Sequence, residues 1–419
     1  MLSKPRTLAA SLCALLALAA CSGGAADPPP PGGDASAPDL DKLRSLPYIA
    51  FSEEKPGKGE GGLISIDEER SYPGYNIYIV QYKCTAELMD RHGRVLRTWS
   101  HEPCEIWESF ELMDGGDLLV TGMTDVDPNR FGEEHLESRY LMRLDWDGQV
   151  VWKSPIHAHH DVEVTPGGRL LTLTMGYRRE RSFHAGMDIR DNFLTLLEPD
   201  GTVVGSLSLY DMLSAPQAGF ELLKSGMKTE DMHREFDMLH VNSVEWMRRP
   251  DLAAKSPIYS LSNILLASRN QDVVAIFNWD ERRLVWSWGR GEILGPHDAT
   301  VLDGGNILIF DNGLGRGWSR SIELNPLTGE IEWEYHAPNP TDFYTASRGG
   351  NQRLPNGNTL ITNSNSGQAF EVTRDGDVVW EFVTPHQDLR GHRATIFRMK
   401  RYEAGFIDRI RREHGEGAR

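Results

Sequence analysis

Two patterns alternate along the chain and leave few folds open. The first is a glycine-containing turn leading into an apolar run: "MDGGDLLVTG" from 113, "TPGGRLLTLT" from 165, "LDGGNILIFDNG" from 302 and "LPNGNTLITNSNSG" from 354, with a degenerate copy, "LSNILLASRNQ", from 261. The second is a turn leading into a run that carries tryptophan: "HGRVLRTW", "DGQVVWKS", "RRLVWSWG", "TGEIEWEY" and "DGDVVWEF"; "DGTVVGSL" from 200 has lost its Trp. Trp286, Trp333 and Trp380 are spaced 47 residues apart. Short apolar runs bounded by Gly, Asp and Asn are antiparallel strands joined by tight turns. Hairpin pairs recurring every 40 to 50 residues or so build a propeller, one four-stranded blade per unit. The Trp of each unit then fills the seam to the next blade, a packing role rather than a cofactor platform.

The count gives an all-β, six-bladed β-propeller within residues 41–403. Its blades are expected at 62–101, 106–154, 159–208, 239–289, 296–336 and 348–383. The run "ATIFRMKRY" from 394 is expected to pair with the first blade and close the ring, which removes free sheet edges. Between "DGTVVGSLSLYDML" and His240 the turn chemistry stops and the apolar spacing becomes helical, so residues 209–238 read as a helical insertion. Residues 404–419 read as a C-terminal helix and tail.

The first 20 residues read as a lipoprotein signal peptide. Lys4 and Arg6 precede the short apolar run "TLAASLCALLALAAC", a positive segment followed by an apolar one that ends in small residues. Leu18-Ala19-Ala20-Cys21 resembles a bacterial lipobox, which makes Cys21 the lipidated residue. Residues 21–40, rich in Gly, Pro, Ala and Ser, have the composition of a flexible tether. Acyl chains anchor without spanning. The expected location is therefore the bacterial cell envelope, lipid-anchored on the periplasmic side, with the outer membrane favoured because Ser22 follows the Cys. Cys84 and Cys104 remain as an even pair in an oxidising compartment, where a disulfide is expected. A net charge of -17 argues against a nucleic-acid partner, which needs a basic face. A small anion stays open, since a local pocket can be positive on an acidic protein.

Aligned on the glycine turn, the start of the inner strand reads Glu108, His160, His297 and Gly349. "HVNSVEW" places His240 at the same end of its blade. Inner strands line the central channel, so His160, His240 and His297 converge on one mouth. The second strand of each blade returns to that mouth and ends with Arg269 in one blade and Asn312 in the next. Three histidines could hold zinc, but an Arg aimed at the same place disfavours a cation, and no metal is expected. Imidazole, guanidinium and amide together suit an oxyanion.

The segments "HVNSVEW", "ASRNQDVVAIFNW", "GPHDATVLDGGNILIFDNG", "GGNQRLPNGNTLITNSNSGQAFEVTRDGDVVWEF" and "ATIFRMKRY" together resemble the bacterial arylsulfotransferase family. The resemblance covers about residues 60 to 403 and is most specific from 233 to 380. Members are periplasmic six-bladed propellers that pass a sulfuryl group between phenols without a nucleotide donor. The resemblance implies aryl sulfates and phenols as partners and no cofactor. It implies His297 as the nucleophile that forms a sulfohistidine, with His240 and Arg269 in the catalytic set. His160, Asn242 and Asn312 would bind substrate, and one histidine would protonate the leaving phenolate. Asp298 puts a carboxylate beside the nucleophile. Such a site tolerates it if the strand turns it away or if it orients a histidine. Two other readings stay open at this level: a non-catalytic envelope propeller lipoprotein that binds or scaffolds, and a quinoprotein-like ring. A homodimer is left open as well.

Overall fold

The computed structural model describes residues 52, 54–57, 60–125, 136–181, 188–224, 235–388 and 390–416. The lipobox and tether lie outside them. The chain divides into Met1–Ala37 and Pro38–Arg419, and every described residue belongs to the second unit.

Six antiparallel sheets form the ring. The inner strands of blades 1 to 6 are Ile396–Tyr402, Ile106–Leu112, Ala158–Val164, Val241–Trp246, His297–Val301 and Gly350–Arg353. Each pairs with a nearly all-buried second strand: Tyr75–Val80, Leu118–Met123, Leu170–Arg178, Asn263–Ser268, Ile307–Asp311 and Thr359–Asn363. Continuous apolar runs such as "ILLAS" are what a strand buried on both faces requires.

The ring is closed twice. Ile396–Tyr402 pairs with Tyr75–Val80 as the innermost strand of blade 1. Gly62–Ile66 pairs with Val378–Val383 as a fifth, outermost strand of blade 6. The expectation that blade 1 begins at residue 62 is therefore corrected: its strands from the N-terminal side start at Tyr75. The alternation of "GLISI" suits any half-exposed edge, so it fixed a strand and not its partner.

Tryptophans stitch the seams. The indole N–H of Trp99 donates to the Asp145 carbonyl at 3.2 Å, that of Trp152 to Pro199 at 3.1 Å, that of Trp333 to Arg374 at 2.9 Å and that of Trp380 to Arg91 at 2.7 Å. Each bond runs from a blade's outer strand to a turn of the following blade, including from blade 6 back to blade 1. A disulfide joins Cys84, after the second strand of blade 1, to Cys104, just before blade 2. In the insertion, an α-helix spans Leu209–Ser214, capped by the Ser208 hydroxyl on the Asp211 N–H. Residues 225–234 lie outside the described residues. Glu235–Asp237 is a strand, not helix, running parallel to Asp188–Arg190; Phe236 between two acids alternates as an edge strand does. The C-terminal helix is Ala404–Glu413.

One irregularity positions the site. The register breaks inside the inner strands of blades 1 to 5, always near the same end of the channel. Such bulges add an unpaired residue and re-aim side chains. The backbone is left-handed at His160 (φ 59°), His240 (φ 45°), Asp298 (φ 45°) and Arg348 (φ 62°). For residues with a Cβ this costs about 1 kcal/mol or more each. Four such residues sit in four successive blades at one mouth, which marks that mouth as a place where packing overrides local preference.

Candidate active site

Counting back from the end of each inner strand gives the equivalent residue in every blade. It is Arg398, Glu108, His160, Asn242, His297 and Gly349 for blades 1 to 6. His240 is thus not at the His297-equivalent place; Asn242 is. His240 reaches the mouth from two residues earlier, by its left-handed turn just before Val241. The sequence lacked a glycine turn in this blade to fix the register.

His160 and His240 face each other, with their Nε2 atoms 3.2 Å apart. The Nδ1–H of His240 donates to Asp237 at 2.6 Å. Asp237 also accepts the His240 main-chain N–H at 3.2 Å and an Arg190 N–H at 3.4 Å. Burial would raise the Asp237 carboxyl, but the charges of His240 and Arg190 outweigh it and hold the group far below its usual range. The His–carboxylate pair fixes the orientation of the His240 ring and puts a proton on Nδ1. Burial pushes His160 down to about 3, with the Glu108 charge opposing and His240 adding to it, so His160 is neutral at ordinary pH. Glu108 accepts the His160 main-chain N–H at 3.1 Å and an Arg139 N–H at 2.9 Å. Burial alone would raise Glu108, yet the Arg139 charge, with the His160 main-chain N–H, holds it at about 2.

His297 is 5% exposed. Its Nδ1 stands 2.6 Å from the Asn312 side-chain oxygen and 3.1 Å from the Gly295 carbonyl. The Asn312 amide donates both hydrogens to main-chain carbonyls, Thr345 and Arg348, each at 2.8 Å. Its oxygen must therefore face the ring, which makes Nδ1 the protonated nitrogen and leaves the lone pair on Nε2. Nε2 points at the left-handed residue Arg348, whose main-chain N–H donates to it at 3.2 Å. Burial first, then the Arg269 charge, lowers the His297 pKa well below its ordinary value. This corrects the role expected of Asn312. With both amide hydrogens spent it orients His297 and has none to give a ligand. Asn242 is 1% exposed and donates to the Pro296 carbonyl at 2.9 Å, bracing the residue before His297, while its Oδ1 has no partner among the described residues.

Arg269 is 8% exposed and opens the 3-10 turn after the second strand of blade 4. Its one side-chain hydrogen bond runs to the Asn270 side chain at 2.9 Å, and its Nε has no partner among the described residues. Burial lowers its pKa, with Asp237 and Asp272 opposing from a distance. A buried guanidinium without a carboxylate partner is costly unless an anion completes it.

Asp298, beside the nucleophile candidate, is turned away from it. Its carboxylate lies 3.2 Å from an Arg398 N–H and accepts the Asn351 main-chain N–H at 2.8 Å. Burial raises its pKa, and Arg398 opposes the rise. Residues that sequence reasoning did not single out are Asp237, Arg139, Arg348, Arg398 and Asp161. Asp237, Arg139 and Arg348 lie between the motifs, whereas Arg398 falls inside "ATIFRMKRY" and Asp161 directly follows His160, where only the cross-channel contacts give them a role. Among the described residues no group of three or more His, Cys, Asp or Glu side chains is arranged to hold a metal ion.

One mouth of the six-bladed ring gathers three imidazoles and a buried guanidinium that has no carboxylate partner among the described residues. The family profile described as Arylsulfotransferase (ASST) matches residues 111–385, well over half of the chain, and the protein belongs to that family. It is a sulfotransferase in that general sense. No curated protein sequence matches the chain. Among solved structures, a protein of unknown function from Bacteroides caccae aligns at 14% identity and TM-score 0.49, covering 78% of this chain and 98% of that one. A streptogramin B lyase aligns at 12% identity and TM-score 0.45, covering 84% and 97%. Virginiamycin B lyase from Staphylococcus aureus aligns at 10% identity and TM-score 0.37, covering 67% and 70%.

The state of Arg269 leads to a prediction. Arg269→Met removes a buried unpaired charge. It should raise the melting temperature of the anion-free protein and abolish the extra stabilisation that inorganic sulfate gives wild type. A variant melting below wild type without sulfate, or still stabilised by it, would contradict this reading of the mouth.

Proposed function

We propose that the protein moves a sulfuryl group from an aryl sulfate to a phenolic acceptor through a sulfohistidine on His297. The observation that carries this is the His297 ring: its Nδ1–H is held by Asn312 and Gly295, which leaves the lone pair on Nε2, and it feels the charge of the buried Arg269. In the first half-reaction Nε2 attacks sulfur, the N–S bond forms, and the S–O bond to the aryl group breaks. Its electron pair goes to the phenolate oxygen, which takes the proton from His240 Nε2. Asp237 holds the His240 ring through Nδ1, which turns Nε2 toward the site for that transfer. Neutral His160 accepts the Nε2–H of His240 while the site waits. In the second half-reaction His240 takes the proton of the acceptor phenol, the phenolic oxygen attacks sulfur, and His297 leaves as a neutral imidazole. No oxidant or nucleotide enters the balance.

Arg269 meets the charge on the sulfuryl oxygens. One preorganised donor of this kind contributes on the order of 2 to 4 kcal/mol. The Arg348 N–H donates to Nε2, so it must give way as sulfur approaches. We further propose that the chain is lipid-anchored through Cys21 on the periplasmic side of the envelope, with the outer membrane favoured. The sequence of residues 1–40 supports this.

Three outcomes are expected. Wild type releases nitrophenolate from p-nitrophenyl sulfate in the presence of phenol, and His297→Ala, folded by circular dichroism, does not. Equal turnover by both proteins would remove His297 from the chemistry. The sign of the pH dependence follows from the lowered pKa of His297: above its folded-state value the ring is neutral, so the nucleophile is not lost on mild acidification. An ordinary imidazole would lose its free base by about 30-fold between neutral pH and about pH 5. The pre-steady-state rate of nitrophenolate release from a wild type preincubated at each pH should show no such fall attributable to the nucleophile. A 30-fold drop that survives replacement of His240 and His160 would contradict it. Finally, labelled palmitate should be incorporated by cells expressing wild type and not Cys21→Ala; equal labelling would refute the anchor.

A further inference from the structure

Arg398 belongs to the closing C-terminal strand, far in sequence from every residue of the mouth. It occupies, in blade 1, the place that His160 holds in blade 3 and His297 in blade 5. Its side chain is 6% exposed and crosses the channel. One terminal nitrogen, Nη1, lies 3.3 Å from Asp161 and 3.2 Å from Asp298. Asp161 directly follows His160, and Asp298 directly follows His297. His160 and Asp161 lie in an inner-strand bulge, and Asp298 opens one directly after His297, which still pairs with Phe310; in these bulges the backbone is not held by the regular ladder.

The same carboxylates are held from other blades. Asp161 accepts from the Ser109 hydroxyl at 3.1 Å and from the Val244 main-chain N–H at 3.0 Å. Asp298 accepts from the Asn351 main-chain N–H at 2.8 Å. Gly350 leaves room for the arrangement. A Cβ there would lie 2.6 Å from the Asp298 carboxylate and 2.9 Å from the Arg398 stem. Beyond this bridge the channel opens at its other end into a cavity of about 1430 Å³, lined in part by Asp161, Asp298 and Arg398 themselves.

We infer that Arg398 is a positioning residue: by binding the carboxylates that follow His160 and His297, it fixes the separation of the two imidazoles across the channel and closes the mouth from the cavity beneath. Blades 3 and 5 do not touch as neighbours in the ring. Blade 4 touches both through the Val244 N–H on Asp161 and Asn242 on the Pro296 carbonyl, and Arg398 adds a direct charged chord across the channel. The inference rests on the sulfotransferase reading for its catalytic consequence and on geometry alone for the spacing.

The test uses two variants of the full chain. Arg398→Lys keeps the charge but is one bond too short to reach both carboxylates. Asp298→Asn keeps the shape and the acceptor for the Asn351 N–H and loses the ionic pull at one end. Both are measured well below their melting temperatures, on the folded fraction. A misplacement of about 1 Å costs on the order of 100-fold in rate. The first-turnover nitrophenolate rate should therefore fall 10- to 100-fold or so, and the Kd for inorganic sulfate should rise about tenfold. A merely structural role would lower the melting temperature and leave both folded-state readouts unchanged. Folded variants with rate and sulfate Kd within about twofold of wild type overturn the inference. If Arg398→Lys does not fold, Asp298→Asn decides. A wild type that binds sulfate but releases no nitrophenolate overturns the sulfotransferase reading instead, and the sulfate Kd alone then decides the role of Arg398.

Discussion

The strand Ile396–Tyr402 holds the rest of the structure in place. It lies against Tyr75–Val80 as the innermost strand of blade 1, so the last strand of the chain completes the sheet that begins the ring. Without it the second strand of blade 1 would present an unpaired edge to the channel, and the six inner strands would not share one axis. Gly62–Ile66 adds a second lock at the outer edge of blade 6. The same closing strand carries Arg398 into the channel. Closure of the fold and geometry of the mouth therefore depend on one segment, which explains why residues from 108 to 348 can meet within a few ångströms.

The mouth holds groups of opposite electrostatic demand close together. His160 and His297 are neutral because burial strips their charged forms of water and the nearby cations add to that cost. His240 differs by one contact, the Asp237 carboxylate at 2.6 Å. In the proposed mechanism that contact distinguishes the acid from the nucleophile among residues of the same type. Arg269 is held buried without a carboxylate, a cost that an oxyanion would repay. Left-handed residues and bulges at the same mouth are a further cost, borne by the Trp-stitched seams around it.

Much of this was legible in the sequence. The glycine turns and Trp strands fixed the blade count, because turn chemistry and two-residue alternation are local. The convergence of His160, His240, His297, Arg269 and Asn312 followed from strand direction alone. What was not legible depended on contacts between segments far apart. "GLISI" marks a strand but not which blade takes it. "HVN" lacks a turn that would set its register, so Asn242 and His240 exchanged places. Asn312 has the chemistry of a ligand donor until its two hydrogens are found on Thr345 and Arg348. Asp298 looked out of place beside a nucleophile; a bulge and Arg398 turn it away. None of these contacts leaves a periodic trace.

The central claim is that His297 itself carries the sulfuryl group between donor and acceptor. The most direct measurement is rapid quenching of wild type with p-nitrophenyl sulfate and no acceptor, under mildly alkaline conditions that preserve N–S bonds, followed by peptide mass analysis. The account predicts one added SO3 on the peptide containing His297, removed on addition of phenol in step with formation of phenyl sulfate. Turnover at an undiminished rate with the His297 peptide unmodified, or with the adduct on another residue, would contradict it.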